Sequence, residues 1–190
     1  MKKGLIVVLF APSAGGKDTV ISALHQQGIA CPCVRETTRA PRSKDNGFYR
    51  FVTAQEFQKR RLSGSYVFDH EYCGYGYSVP INDLGKLLDD GNIPILKGEI
   101  TQIEHERRRL LELWPNVRLM TIELVPKPLE KWLEVIRLER YDNVEARIAD
   151  GVSELGKAQG ELRNLIDHLV DNHFGELERT IESVKSLITV

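Results

Sequence analysis

A short apolar segment near the start of the chain runs directly into a glycine-rich loop, which runs into a helical pattern. Residues 4–10 are continuously apolar and rich in β-branched side chains, as in a strand buried on both faces of a parallel sheet. The loop then contains Gly15, Gly16 and Lys17. Glycines let backbone N–H groups curve around an anion, and the helix N-terminus adds its positive dipole end. This order predicts a phosphate-binding loop (P-loop) rather than an ordinary glycine-rich turn.

The loop departs at two positions from the usual pattern G-x-x-x-x-G-K-[ST]. Ala11 stands at the first glycine, which is a mild change if the residue has a negative φ. Asp18 stands where a Ser or Thr hydroxyl usually binds Mg²⁺, and a carboxylate is itself a good Mg²⁺ ligand. We expect Asp18 to bind the metal, with Thr19 as the alternative. The expected phosphate-contacting set is Pro12, Ser13, Ala14, Gly15, Gly16, Lys17, Asp18 and Thr19.

Strand-like and helix-like segments alternate along the whole chain. Helical spacing predicts helices over 19–25, 81–90, 99–114, 129–141, 144–169 and 176–187, and a capping box at Thr53 and Glu56 opens a further short one. Further apolar runs predict strands over 93–96, 118–125 and 169–170, whereas 66–77 reads as short strands or loops. The alternation predicts an α/β fold with a parallel sheet covered by helices on both faces. A length of 190 residues suits one domain.

Composition and charge exclude several classes of protein. Hydrophobic residues make up 42% and charged residues 28% of the chain, so disordered and low-complexity classes are out. With 26 basic and 27 acidic residues, the chain is not built to hold nucleic acid by bulk charge. No run approaches a membrane span or a signal peptide. The three cysteines, Cys31, Cys33 and Cys73, match no common zinc spacing even with His70, and their odd count fits a reducing cytosol. We expect a cytoplasmic protein.

A basic stretch farther along predicts a second anion site. Arg39 and Arg42 flank a proline, and Tyr49 follows closely. Guanidinium forks suit a phosphate that carries two charges, and Tyr49 adds a hydroxyl donor. On residue types alone, a solvated basic loop is the open alternative. A P-loop together with a separate arginine pair indicates a donor and an acceptor phosphate brought face to face.

These motifs together resemble the guanylate kinase signature. T-T-R-x-P-R at 37–42 is followed by G-x-Y-x-F-V at 47–52 and by Glu56-Phe57, and the similarity extends over 4–189. The resemblance implies a P-loop NTPase three-layer fold with a central parallel sheet, a small substrate-binding subdomain at 35–80 and a helical lid at 129–150. It implies the reaction ATP + GMP → ADP + GDP with Mg²⁺. The residues implied to hold the phosphate of GMP are Arg39, Arg42, Tyr49 and Tyr75.

The resemblance also assigns residues around the transferring phosphoryl group. The segment 144–148 is similar to the lid motif I-x-x-R-L, which places Arg147 in the clamp, with Arg137 and Arg140 as further lid candidates. The residues implied to act in the transfer are Lys17, Arg39, Arg137 and Arg147, and Arg140 is implied to contact ATP. The late segment 167–172 resembles D-Y-x-x-x-N, whose Asn lies near adenine, so Asn172 is implied to contact ATP.

Departures from the family pattern cluster where guanine is recognised. Arg35 replaces a Ser, and Tyr77 replaces a Ser or Thr. Asp69 is the nearest match to the glutamate that recognises the base, after a short deletion. The pattern L-D-I-D becomes Leu96-Lys97-Gly98-Glu99, so Lys97 replaces an acidic residue near the metal while Glu99 keeps a carboxylate. We expect Asp69, Tyr77 and Glu99 to contact the base.

Two other functions stay open. Gly-Lys-Asp in the P-loop also resembles the ribose 1,5-bisphosphate phosphokinases, so a kinase of that or another small phosphorylated acceptor is the first alternative. The second is a catalytically silent binding module, which Asp18 and Lys97 favour and Lys17 disfavours. The expected partners are small molecules, without nucleic acid or membrane, and the protein is expected to be a monomer or a homodimer.

Overall fold

The computed structural model describes residues 4–42, 45, 47–72, 74–139 and 143–189, so the predicted residues Arg140 and Cys73 lie outside it. In these ranges nine strands alternate with seven α-helices. The strands are β1 (Leu5–Phe10), β2 (Cys31–Pro32), β3 (Arg35–Thr37), β4 (Tyr49–Phe51), β5 (Tyr66–Tyr72), β6 (Tyr75–Pro80), β7 (Pro94–Lys97), β8 (Arg118–Lys127) and β9 (His168–His173). The helices are α1 (Lys17–Gln26), α2 (Ala54–Leu62), α3 (Ile81–Asp89), α4 (Ile103–Leu113), α5 (Leu129–Glu139), α6 (Val144–Gln159) and α7 (Leu177–Ile188).

The larger sheet has five strands in the order β2-β7-β1-β8-β9, and every neighbouring pair is parallel. This confirms the predicted α/β fold. In the register, Leu9 of β1 lies opposite Lys97 of β7, and Phe10 lies opposite Glu123 of β8. Because the carboxyl ends of parallel strands meet at one edge, the P-loop, Lys97 and Glu123 share that edge. Ligands of open α/β sheets bind at such an edge.

The side chains of β1 are buried on both faces of this sheet, as its apolar run predicts. Val7 and Leu9 belong to a cluster with the apolar faces of α1 and α7. Ile6, Val8 and Phe10 belong to a second cluster with α3, α4 and α6. The result is three layers, with the sheet between two layers of helices.

A smaller sheet, with the strand order β4-β3-β6-β5, is formed by the segment that carries the second anion motif. Its centre is Glu36 of β3, whose carboxylate is fully buried. Arg50 donates to it at 3.0 Å, the hydroxyl of Tyr66 at 2.7 Å, and Arg60 also contacts it. These bonds join α2, β4 and β5 to β3. Burial, together with the bond to Glu36, raises the pKa of Tyr66 to about 12.

Two predicted helices were too long. The helix predicted over 99–114 begins as a 3₁₀ turn, Ile100–Gln102, and becomes α-helical only from Ile103. The helix predicted over 144–169 ends at Gln159, and the chain then passes through Gly160 and a second 3₁₀ turn, Arg163–Leu165. None of the helices in the described ranges has the length and apolar character needed to cross a bilayer.

Two strands were predicted too short. The strand predicted over 118–125 continues through Pro126, which pairs with Asn172 of β9. A proline is tolerated there because β1 ends opposite Glu123, so beyond that point β8 has a neighbouring strand on one side only. The strand predicted over 169–170 extends over all of β9, because it pairs with the longer β8.

Candidate active site

The P-loop curves tightly between β1 and α1. The backbone N–H of Gly15 donates to the carbonyl of Pro12 at 2.8 Å, and Ala14 and Gly16 both have left-handed backbones, with φ of 58° and 82°. A Cβ added at Gly15 would lie 2.8 Å from the Pro12 oxygen. Ala11, where glycine is usual, is not in the left-handed region, which explains why alanine is tolerated there. The loop fits an anion that the backbone approaches closely.

Lys17 folds back over the loop that it follows. Its Nζ donates to the carbonyl of Ala11 at 3.0 Å and to that of Gly98 at 3.4 Å. The ammonium therefore lies at the carboxyl edge of the sheet, between the ends of β1 and β7. The ammonium of Lys17 would therefore lie beside a phosphate bound in the loop without a large movement of the side chain.

Two buried side chains support the P-loop by donating hydrogen bonds to its carbonyl groups, a role that the sequence did not predict for either of them. The indole N–H of Trp132, on α5, donates to the carbonyl of Ser13 at 2.8 Å. Asn172, on β9, donates from Nδ2 to the carbonyl of Gly15 at 2.9 Å, and its Oδ1 accepts from the hydroxyl of Thr180 at 2.9 Å. Both polar groups of Asn172 are thus bonded within the protein. Its placement beneath the loop differs from the expected contact with adenine, which stays a prediction.

Asp18, the expected metal ligand, is paired with the residue that replaces the family's acidic side chain. Its Oδ1 lies 2.7 Å from Nζ of Lys97, across the edge of the sheet. The side chain of Asp18 is 57% exposed, whereas that of Lys97 is 7% exposed. Thr19, the alternative metal ligand, is exposed in the first turn of α1. The carboxylate of Asp18 has the chemistry to hold Mg²⁺ beside a phosphate in the loop.

Three glutamates that no motif singled out lie in the electrostatic field of Lys17. Burial raises the pKa of Glu106 and of Glu123 to about 8, and that of Glu154 to about 7, while Lys17 opposes each shift. Oε2 of Glu106 and of Glu123 has no hydrogen-bond partner among the described residues. A lone acidic residue within the otherwise apolar run 122–125 was the available signal for Glu123.

Three of the four expected acceptor-phosphate residues, Arg39, Arg42 and Tyr49, lie near one another beside the smaller sheet. The guanidinium of Arg39 lies 4.6 Å from the centre of the Tyr49 ring. Arg39 is held by the carboxylate of Asp45, with distances of 2.9 and 2.5 Å, and this bond raises the pKa of Arg39 and lowers that of Asp45. Asp45 also accepts from the backbone N–H of Arg42 at 2.6 Å, while the Arg42 side chain is exposed. The carboxylate of Asp45 thus accepts from the same guanidinium group of Arg39 that is expected to hold a phosphate.

Tyr77, one of the three residues expected to contact the base, lies in mutual contact with Arg35 and His70. Arg35 is buried, and its Nη2 lies 3.3 Å from Nδ1 of His70, whose ring stacks on Tyr77 at 5.6 Å. Burial, and then Arg35, lowers the pKa of His70 to about 4. Nε2 of His70 lies 3.9 Å from Glu99, so Tyr77 and Glu99 both adjoin this group. Asp69, in contrast, is engaged by a neighbouring arginine.

The remaining predicted residues lie farther apart. Arg147 of α6 donates to the hydroxyl of Tyr72 of β5 at 3.3 Å, so it joins the predicted lid to the smaller sheet. Arg137 is exposed on α5, and Tyr75 is exposed at the start of β6. The roles assigned to Arg137, Arg147 and Tyr75 stay predictions.

Curated proteins similar to this chain include bacterial guanylate kinases. No family model matches the chain. A guanylate kinase of Synechococcus sp. is 30% identical over 190 residues, which cover 96% of this chain and 100% of that protein. A guanylate kinase of Shouchella clausii is 29% identical over 191 residues, covering 99% and 88%. A crystal structure of guanylate kinase from Anaplasma phagocytophilum has a TM-score of 0.69 at 22% identity, covering 99% of this chain and 86% of that one.

The five-stranded parallel sheet, with a glycine-lysine loop between its central strand and α1, defines the P-loop kinase fold. The solved guanylate kinase has the same fold over nearly the whole chain. Together with full-length identity of 30%, the relatives show that this chain belongs to the guanylate kinase family.

Proposed function

We propose that this protein transfers the terminal phosphoryl group of ATP to GMP, which gives ADP and GDP. The observation that carries the proposal is the pairing of a P-loop, with Lys17 at its side, and a second cationic group around Arg39 and Tyr49. Family membership supports ATP and GMP as the two substrates.

The residues of the loop would bind the phosphates of ATP, and Lys17 would exchange its carbonyl partners for phosphate oxygens. Asp18 would hold Mg²⁺, which neutralises charge on the phosphate oxygens when bound. Arg39, with Arg42, Tyr49 and Tyr75, would hold the phosphate of GMP as the acceptor. The protein contributes positioning and charge stabilisation, without a covalent intermediate on the enzyme.

The predicted lid would complete the site by motion. Arg137 and Arg147 would have to move towards the transferring group, since Arg147 contacts Tyr72 and Arg137 is exposed to solvent in this structure. Arg140 would join them in the lid. Movement of 129–150 and of 35–80 towards the loop would exclude water, which otherwise competes as the acceptor. The cytoplasmic location and the monomeric or homodimeric state stay predictions.

One observation favours testing a second acceptor. Asp69, the expected base ligand, is bound to Arg61, and the buried Arg35 occupies the position of a small residue. A small phosphorylated sugar such as ribose 1,5-bisphosphate would need the phosphate site but no contacts to a base. This alternative shares the donor chemistry and differs only in the acceptor.

The test is ADP release with Mg-ATP and a panel of acceptors that includes GMP, AMP, CMP, UMP and ribose 1,5-bisphosphate. We expect turnover with GMP, and a loss of several orders of magnitude in Lys17→Met, since that variant lacks the point charge on the phosphates. Turnover with the sugar bisphosphate alone would replace GMP by the alternative. Full activity of Lys17→Met would contradict the assignment of the loop.

A further inference from the structure

Lys97 is a buried cation that has, among the described residues, fewer hydrogen-bond acceptors than its ammonium group can use. Its side chain is 7% exposed, and burying an ammonium is costly unless it is well paired. Among the described residues, the polar groups that contact it are the Asp18 carboxylate at 2.7 Å and the Tyr49 hydroxyl at 3.4 Å. The faces of the Phe48 and Tyr49 rings lie 4.8 and 4.6 Å from Nζ. An ammonium group has three donors, so this one has capacity for another acceptor.

The position of this ammonium joins the two halves of the site. Asp18 directly follows the P-loop lysine, and Tyr49 belongs to the acceptor-phosphate group around Arg39. Nζ of Lys97 is within hydrogen-bond reach of both. The same nitrogen lies over the Phe48 and Tyr49 rings, so the ammonium is placed between the aromatic side chains and Asp18.

We propose that Lys97 is a ligand of the acceptor phosphate and that Asp18 holds its charge until the phosphate arrives. The proposal rests on the proposed function, because that function assigns Arg39 and Tyr49 to the acceptor phosphate. A phosphate with two charges competes well against this one carboxylate, since the side chain of Asp18 is 57% exposed and regains its hydration at little cost when it is displaced. When the phosphate takes Lys97, the carboxylate of Asp18 is released towards the metal beside the P-loop.

The same arrangement recurs at the other cation of this group. Asp45 holds Arg39 as Asp18 holds Lys97, so both of these cations are paired with a carboxylate of the protein. Because binding exchanges one anion for another, neither cation need remain unpaired before the acceptor arrives. Removing a competing carboxylate should therefore tighten phosphate binding, and removing the cation should weaken it.

The test measures binding of inorganic phosphate by calorimetry, with Mg²⁺ and a saturating non-hydrolysable ATP analogue filling the P-loop. Phosphate is the part that any acceptor of this site would share. Lys97→Met, whose apolar side chain still fills the space between the rings, should bind phosphate about tenfold more weakly or worse. Lys97→Arg keeps the charge and should stay within about threefold of wild type. Unchanged affinity in Lys97→Met, or an equal loss in Lys97→Arg, would overturn the proposal.

A second set of variants tests the role of Asp18 by its effect on phosphate affinity. Measured with the ATP analogue but without Mg²⁺, so that metal binding by Asp18 does not contribute, Asp18→Asn should bind phosphate more tightly than wild type. The same change in a Lys97→Met background should have no effect. Equal tightening in both backgrounds would mean that Asp18 repels phosphate directly and does not act through Lys97. A purely structural ion pair would instead make both single variants worse.

A matched control is available at the same edge of the sheet. Lys127, at the end of β8, lies 3.9 Å from Asp171 of β9, with both side chains largely exposed. Lys127→Met removes a lysine from a lysine–aspartate pair outside the acceptor group and should leave phosphate affinity unchanged. GMP turnover by wild type is recorded in parallel. Phosphate binding that depends on Lys97 without GMP turnover would count against GMP as the acceptor, and GMP turnover with Lys97-independent phosphate binding would count against Lys97.

Discussion

The carboxyl group of Glu123 should make the stability of this protein depend on pH. It is 1% exposed on β8, next to the end of β1, and its Oε2 has no partner among the described residues. Burial raises its pKa from 4.5 to about 8, with Lys17 opposing and Glu154 adding to the shift. Between these values the folded protein keeps a proton that the unfolded chain releases. The free energy of unfolding therefore falls as pH rises through that window.

The magnitude follows from this difference in proton binding. One proton more in the folded state changes stability by about 1 kcal/mol or slightly more for each pH unit. From pH 5 to pH 8, Glu123 alone should therefore lower the free energy of unfolding by about 3 kcal/mol. Glu123→Gln has nearly the same shape and no titration, so its stability relative to wild type should rise by that amount over the same interval.

The assay is urea unfolding at several pH values between 5 and 8, followed by circular dichroism. The control is Glu130→Gln, which changes an exposed glutamate of α5. It should parallel wild type at every pH. Parallel pH profiles for wild type and Glu123→Gln would refute the reasoning, because they would mean that Glu123 is ionised in the folded protein.

Three further substitutions test the support of the site. Asn172→Ala removes two hydrogen bonds beneath the P-loop and should cost roughly 1–3 kcal/mol, with a raised KM for ATP; an unchanged KM would contradict its positioning role. Gly151→Ala would place a Cβ 2.6 Å from the Trp132 ring and should cost about 1–3 kcal/mol in urea unfolding. Its control is Gly156→Ala on the same helix, where a Cβ meets nothing within 4 Å and stability should rise by roughly 0.5–1 kcal/mol. Asp45→Asn frees the guanidinium that it now holds and should lower the KM for GMP severalfold, and a raised KM would show that the carboxylate does not compete with the acceptor.

Local patterns in the sequence carried much of the fold. The apolar run before Gly15 and Lys17 was enough to predict β1, the loop and α1, because strand, turn and helix signals follow one another within the chain. The capping box at Thr53 and Glu56 was predicted from spacing and is confirmed by reciprocal bonds of 3.2 and 3.0 Å. Such features depend on neighbours in sequence, and a single sequence shows them directly.

Contacts between segments that are far apart in the sequence could not be predicted from the sequence. Asp18 and Lys97 each looked like a defect of a family pattern, and only the fold shows that they face each other at 2.7 Å. Asn172 was predicted to contact ATP, and only the fold shows that β9 also carries it beneath the P-loop. These relations depend on strand order and register, which the hydrophobic pattern of one chain does not determine. The length of β8 was missed for the same reason, since Pro126 is tolerated only where β1 has ended.

The most direct test of the account is transfer of label from γ-labelled ATP in the presence of GMP. The account predicts that label leaves ATP and appears in GDP, that the transfer requires Mg²⁺, and that Lys17→Met abolishes it while Lys127→Met does not. Label that appears only as inorganic phosphate, or no loss of label from ATP with GMP present, would contradict the proposal that this protein phosphorylates GMP.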